Sequence, residues 1–179
     1  MKNRNNASLN LDLIKEIFNG LNKVFKAMQN KKIIHRDLKL KNLLVKYIDN
    51  ERQKFIVKLS DYGISRKMLS MSKKCSTYAG TIITMAPEIL AGEEYDNKCD
   101  LWSLGVIIYQ LFFKEYPYKA DMQLAIYNKI KNYGKKILKR TKYENLDNLI
   151  DSLLIRDPNK RINYEEYFNH SFFKENLNK

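Results

Sequence analysis

Cysteine is scarce: Cys75 and Cys99 are the only two in 179 residues. Such a pair supplies neither a disulfide framework nor a metal-ligand cluster, and two reduced thiols are the expectation. Long apolar runs are missing too. No stretch approaches the roughly 18 uninterrupted apolar residues that a membrane-crossing helix needs. The opening residues, MKNRNNASLN, carry charge with no apolar segment behind it, so they do not read as a secretory leader. An intracellular, cytoplasmic setting is therefore expected. There is no zinc-ligand spacing, no RNA-binding aromatic motif and no internal repeat. Acidic residues are outnumbered: 33 Lys and Arg against 20 Asp and Glu leave a net charge of +13. An excess of that size can draw nucleic acid, anionic membrane or acidic peptide. Here it is spread along the chain as Lys mixed with Asn, and it points to no specific nucleic-acid partner.

What is present is enough patterned chain for one domain. Residues 1–7 are polar and expected to be a disordered N-terminus. From Ser8, read as an N-cap, Ile14, Ile17, Leu21, Val24 and Met28 recur at helical spacing, with Lys15, Glu16, Asn22 and Lys23 mostly on the opposite side. This helix should end near Asn30. Ile33 and Ile34 suggest a short strand running into a polar loop. Leu43 to Val45 and Phe55 to Leu59 suggest two more strands separated by a turn over 48–54. Residues 65–76 are polar with no hydrophobic period, and a mobile loop is expected. Residues 101–113 are almost wholly apolar, which predicts a helix buried on nearly every side before the break at Pro117. Helices near 121–131, 143–154 and 163–168 complete a fold that is mainly α with small β-ribbons. One domain is expected over 8–173, followed by a tail over 174–179.

The polar loop reads His35-Arg36-Asp37-Leu38-Lys39-Leu40-Lys41-Asn42. Asp61-Tyr62-Gly63 and Ala86-Pro87-Glu88 follow, then Asp100-Leu101-Trp102-Ser103-Leu104-Gly105 and Asp157-Pro158-Asn159-Lys160-Arg161. In order and spacing these resemble the HRDLxxxN, DFG, APE, DxWSxG and DPxxR signatures of eukaryotic protein kinases. Any one of them is weak, but five in sequence are specific. The resemblance implies the C-terminal lobe of a protein-kinase-like fold and an enzyme that uses ATP and Mg²⁺ to phosphorylate protein Ser or Thr hydroxyls.

The same resemblance implies roles for single residues. Asp37 would accept the substrate proton, and Lys39, the serine/threonine-class residue, would sit by the γ-phosphate. Asn42 and Asp61 would offer oxygens to Mg²⁺, and Leu44 would floor the adenine. Thr81 would contact both Asp37 and Lys39. Asp100 would hold the backbone of the catalytic loop, His35 would pack beneath it, and Glu88 would form a buried ion pair with Arg161. Arg36 and Arg66 would receive a regulatory phosphate on Thr77, with Ser70, Ser72, Ser76 and Tyr78 as competing acceptors.

The chain departs from the pattern in places. Tyr62 stands where Phe is usual. Residues 80–85 lack the Pro after Thr81 and the aromatic before Met85 that many such kinases have, in the segment that shapes the pocket for the residue following the phospho-acceptor. No GxGxxG, VAIK-type lysine or partner glutamate precedes the first helix, so the ATP site is expected to be half built, with an apolar face left exposed. Two functions follow. The chain could be a fragment of an active serine/threonine kinase whose partners are a protein substrate and a missing N-lobe or partner kinase. Alternatively, it could be a catalytically inactive lone lobe that serves as a partner-binding module. Residues 164–173 resemble the ending of Unc-51-like and calcium/calmodulin-type kinases.

Overall fold

The computed structural model describes residues 11–49, 51, 54–63, 65–67 and 81–174. Ser8, expected as an N-cap, residues 1–7, expected to be disordered, and most of 65–76, expected to be a loop, lie outside them. Helix α1 (Leu11–Asn30) buries Ile14, Ile17, Leu21 and Met28 of the expected stripe, with Val24 half-buried and Phe18 and Phe25 buried beside them. It stops where Lys32 turns into the left-handed region at φ 55°. One residue departs from the expected solvent face. Lys15 is only 8% exposed, its aliphatic stem buried and its Nζ lying 5.3 Å from the Phe172 ring centroid. A long lysine can bury its stem while its charge rests on an aromatic face, and a two-class polarity pattern does not register this.

Two antiparallel ribbons are nested in sequence. Strand β1 (Ile33–Ile34) pairs with β4 (Arg66–Lys67), while β2 (Leu43–Tyr47) pairs with β3 (Phe55–Leu59). The registers are Ile34↔Arg66 outside and Leu43↔Leu59 inside. Strand β4 corrects the reading of 65–76 as loop from its start. With two residues it has no period to detect, and it exists through its pairing with β1. The β2–β3 ribbon lies on α1 at Gly20, where an added Cβ would come within 2.8 Å of Val57 Cγ2. Leu44 and Ile56 on the ribbon's far face, Val45 and Tyr47 on the face shared with Val57, and Ile48 just past β2 are each at least 40% exposed.

Short helix α2 (Pro87–Leu90) starts with proline at its first position, where the missing N–H costs nothing. Helix α3 (Lys98–Phe113) is the axis of the core, with every residue from Cys99 to Tyr109 buried. It begins three residues earlier than the apolar run suggests. It ends at left-handed Lys114, whose N–H caps the Gln110 carbonyl, ahead of Pro117. Helix α4 (Gln123–Tyr133) follows, then α5 (Glu144–Leu153), which crosses α3 so closely that a Cβ on Gly105 would meet Leu153 Cβ at 2.8 Å. Helices α6 (Tyr164–Phe168) and α7 (Ser171–Lys174) close the core against α1. Among the described residues, no helix is long and apolar enough to cross a membrane.

Candidate active site

Nesting of the ribbons brings two loops side by side. Residues 35–42 join β1 to β2, and 60–65 join β3 to β4. The first loop is held from beneath by Asp100, in the first turn of α3. Asp100 Oδ2 accepts the His35 N–H at 2.8 Å, and Oδ1 accepts the Arg36 N–H at 2.9 Å. Arg36 sits at φ 70°, a conformation that costs a non-glycine residue roughly 1–2 kcal/mol. The two carboxylate bonds offset that cost. Burial pushes the Asp100 carboxyl up to about 6, against the pull of the two N–H groups and the Arg36 charge.

His35 is fully buried, and its ring has both nitrogens engaged. Nε2 lies 3.2 Å from the Ser60 carbonyl and Nδ1 accepts the Asp37 N–H at 3.3 Å. That pairing requires the neutral tautomer with its proton on Nε2. Burial lowers its pKa in the same direction, only partly countered by the Ser60 carbonyl and by Asp37 and Asp61. The ring therefore ties the first loop to the residue just before Asp61.

Above this support Asp37, Lys39 and Thr81 form a closed cluster. Lys39 Nζ donates to Asp37 Oδ2 at 2.6 Å and to Thr81 Oγ1 at 2.9 Å, while Thr81 Oγ1 donates to Asp37 Oδ1 at 2.6 Å. Asn42 Nδ2 donates to the Asp37 carbonyl at 2.9 Å and lies 3.4 Å from Oδ2. Asp37 is 6% exposed. Burial alone would raise its pKa, but the bonds from Lys39 and then Thr81 outweigh it and hold the group below the usual carboxylate range. Asp37 is thus an ionised acceptor at neutral pH. Thr81 is positioned by a 3₁₀ turn, Ile82–Thr84, whose Thr84 N–H and hydroxyl both donate to the Thr81 carbonyl.

Asn42 and Asp61 are brought together at the base of the inner ribbon. The Ser60 N–H donates to the Asn42 carbonyl at 2.9 Å and the Ser60 hydroxyl lies 3.3 Å from it, so Asp61 is the next residue along. Asp61 is exposed, at φ 63°, with the Gly63 N–H 3.4 Å from its Oδ1. Tyr62 is 44% exposed, its ring 5.0 Å from that of His35, so its hydroxyl needs no buried partner. Leu44 is on the open surface at 47% exposure.

Glu88 and Arg161 meet below the site in a buried bidentate pair, at 2.7 Å and 2.8 Å. The guanidinium also donates to the carbonyls of Ile155, Lys98 and Arg156 and lies 5.3 Å over Trp102. Thr77 and its competing acceptors fall outside the described residues. Arg66 lies in β4 opposite Ile34, and Arg36 Nη1 donates to the Tyr95 hydroxyl at 3.2 Å.

Two positioning residues escaped the sequence reading. Ser60 links His35 to Asn42. Ser103 donates from its hydroxyl to the Thr84 carbonyl at 2.7 Å and so ties the Thr81 turn to α3. Ser103 stood inside a recognised motif; Ser60 had only its place before Asp61 as a signal.

Residues 2–173 match the family model described as protein kinase domain. The chain is 35% identical over 168 residues to the serine/threonine-protein kinase atg1 of Dictyostelium discoideum, an overlap of 94% of this chain and 24% of that protein. It is 34% identical over 153 residues to the serine/threonine-protein kinase ATG1a of Arabidopsis thaliana, covering 83% of this chain and 24% of the relative. With atg1 of Schizosaccharomyces pombe the figures are 31% over 179 residues, 90% and 21%. The chain thus spans about a quarter of the length of these curated relatives, and the Unc-51-like resemblance of residues 164–173 points the same way. A buried carboxylate kept ionised by a lysine and a threonine, carried on a fold that matches along nearly its whole length, makes this chain a member of the protein kinase family, of the serine/threonine class.

Proposed function

We propose that this chain acts in transfer of the γ-phosphate of ATP to a Ser or Thr hydroxyl of a protein. The Asp37–Lys39–Thr81 cluster carries the reading. Phosphoryl transfer needs positioning and dispersal of negative charge more than covalent help. Asp37 would accept the proton of the attacking hydroxyl as its oxygen bonds to phosphorus and the bond to the ADP oxygen breaks. Lys39 would place its charge beside the transferred phosphoryl while orienting Asp37. Thr81 would hold the second carboxylate oxygen and fix the acceptor's approach. The protein kinase family uses ATP and Mg²⁺. The side-chain oxygens of Asn42 and Asp61 are hard donors of the kind Mg²⁺ takes, joined through Ser60, and Leu44 offers an apolar surface for adenine. Bound there, the ion would neutralise charge on the phosphate oxygens.

The test is incorporation of labelled phosphate from Mg-ATP into Ser/Thr peptides by the purified chain, beside Asp37→Asn and Asp61→Asn. Loss of the general base should lower the rate by about 10²–10⁴-fold. Equal incorporation by Asp37→Asn, or only background labelling by the folded chain, would sink the reading. We also propose Thr77 as a regulatory phosphosite read by Arg36 and Arg66; the β1–β4 register sets Arg66 two positions from Arg36 and supports this. Unchanged activity in Thr77→Ala would refute it. The exposed apolar side chains of β2–β3 favour a second reading, a partner-binding role. Sedimentation of the purified chain with and without Tyr47→Lys tests for association through the ribbon, and identical monomer profiles would count against it.

A further inference from the structure

The positive charge of the chain is densest over residues 122–143, which hold six lysines, one arginine and no carboxylate. About an eighth of the length thus carries roughly half of the net charge of +13. The stretch comprises α4, a 3₁₀ turn over Gly134–Ile137 and the link to α5. Its backbone is fixed from beneath. The Gly134 carbonyl accepts the Tyr118 hydroxyl at 3.2 Å, the Lys139 N–H donates to the Tyr109 hydroxyl at 3.1 Å, and the Thr141 N–H donates to the Asp147 carboxylate at 3.0 Å. Leu138, between the first two of these anchors in sequence, is buried. Lys131, Lys136, Lys139, Arg140 and Lys142 are all exposed.

Little of this charge is neutralised. Lys139 pairs with Glu115 at 2.6 Å and Arg140 with Asp151 at 2.9 Å, both on the surface, where such pairs are weak. Among the described residues, Lys131, Lys136 and Lys142 have no carboxylate partner. Apolar side chains stand among the cations. Among the described residues away from the β2–β3 ribbon and the candidate site, the large hydrophobic side chains most open to solvent are Met122, Leu124 and Tyr133, at 69%, 65% and 54% exposure. All three lie on α4 or at its start. Leu124 and Lys131, seven residues apart and both exposed, share an outward face of that helix.

Nucleic acid would use the cations and leave the apolar groups in water, and a site built for single phosphates would favour the arginine fork over lysine. An anionic bilayer uses both kinds of group. Its surface potential attracts lysines as point charges, and its interfacial layer takes up Leu and Tyr. We propose that this surface docks the chain on a membrane rich in anionic phospholipid, with Lys131, Lys136 and Lys142 against the headgroups and Leu124 and Tyr133 in the interface. The proposal is independent of the Asp37 chemistry, since none of these residues enters that site.

The experiment is flotation of the full chain with vesicles of phosphatidylcholine alone, or of three parts phosphatidylcholine to one part phosphatidylserine. The chain should float with the second and not the first, and less so as salt is raised. Each lysine near such a surface strengthens binding about fivefold, so Lys131→Gln, Lys136→Gln and Lys142→Gln together should weaken it roughly 100-fold. The same three changes at Lys23, Lys31 and Lys46, exposed elsewhere, give the same net charge and should weaken it by less than about tenfold. Leu124→Ser with Tyr133→Ser should weaken vesicle binding and leave its salt dependence unchanged, as an apolar contribution requires. Melting temperatures check that each variant keeps the fold. No flotation with the anionic vesicles, equal losses in the two triple variants, or flotation untouched by Leu124→Ser with Tyr133→Ser would each overturn the proposal. So would saturable binding of a labelled DNA duplex or a polyglutamate peptide without vesicle binding, which would give the surface to nucleic acid or to an acidic protein.

Discussion

Replacing Arg161 by alanine should be among the most damaging single changes outside the site. The side chain is fully buried and uses all its N–H groups: two bonds to the Glu88 carboxylate and three to backbone carbonyls of Ile155, Lys98 and Arg156. Its removal strands the Glu88 carboxylate, 2% exposed, without its counter-charge. A buried pair broken on one side typically costs about 3–5 kcal/mol. For a chain of this size that lowers the melting temperature by roughly 6–20 °C, at about 2–4 °C per kcal/mol. Arg161→Lys keeps the charge but cannot reproduce the planar fork, and it should fall between alanine and wild type. The assay is urea and thermal unfolding of wild type, Arg161→Ala, Glu88→Ala and the double variant. Removing both partners deletes the stranded charge, so the double variant should be clearly more stable than the sum of the two single losses implies. Simple additivity, or a loss below about 1 kcal/mol for Arg161→Ala, would refute the view that the pair is a coupled buried unit.

Three further predictions follow from the packing and burial of single residues. Gly20→Ala should destabilise by about 1–3 kcal/mol despite alanine's better helix propensity, because its Cβ would press on Val57. Adding Val57→Ala should recover part of the loss in a chemical-denaturation cycle. His35 has its pKa lowered by burial, so its contribution to stability is present above about 6.5 and is lost as pH falls below that value. Melting curves between pH 5 and 8 should therefore be flatter for His35→Gln than for wild type. Asp100 works in the opposite sense. With its pKa raised from 3.8 to about 6, it favours the fold most below pH 4, and on the order of 3 kcal/mol of this is lost as pH rises to 6. The difference in stability between wild type and Asp100→Asn should shift across that window, and a constant difference would contradict the buried carboxyl.

The stripe of α1 and the apolar run of α3 were legible because burial follows hydrophobic periodicity, which is a local property of the chain. Strand β4 and the 3₁₀ turn at Ile82–Thr84 were not legible. The strand is two residues long and exists through its partner β1, and the turn is held by Ser103 from α3. Lys15 was assigned to the solvent face because sequence pattern treats a lysine as one polar unit.

In the site the division is similar. Residue types and spacing determined which side chains carry chemistry: an aspartate and a lysine two residues apart, an asparagine five beyond the aspartate, and a second aspartate after the ribbon. Tertiary structure decided their states. Thr81 reaches Asp37 across 44 positions and Asp100 reaches Arg36 across 64, so the ionisation of one carboxyl and the backbone turn beneath it depend on contacts between distant segments. Tertiary structure alone also decided that Tyr109 and Tyr118 hold down the backbone after α4 and leave its cations outside. Hydrophobic period and motif spacing act over a few residues, whereas such anchors and pKa values are set by whichever segments the fold brings within a few ångströms of one another.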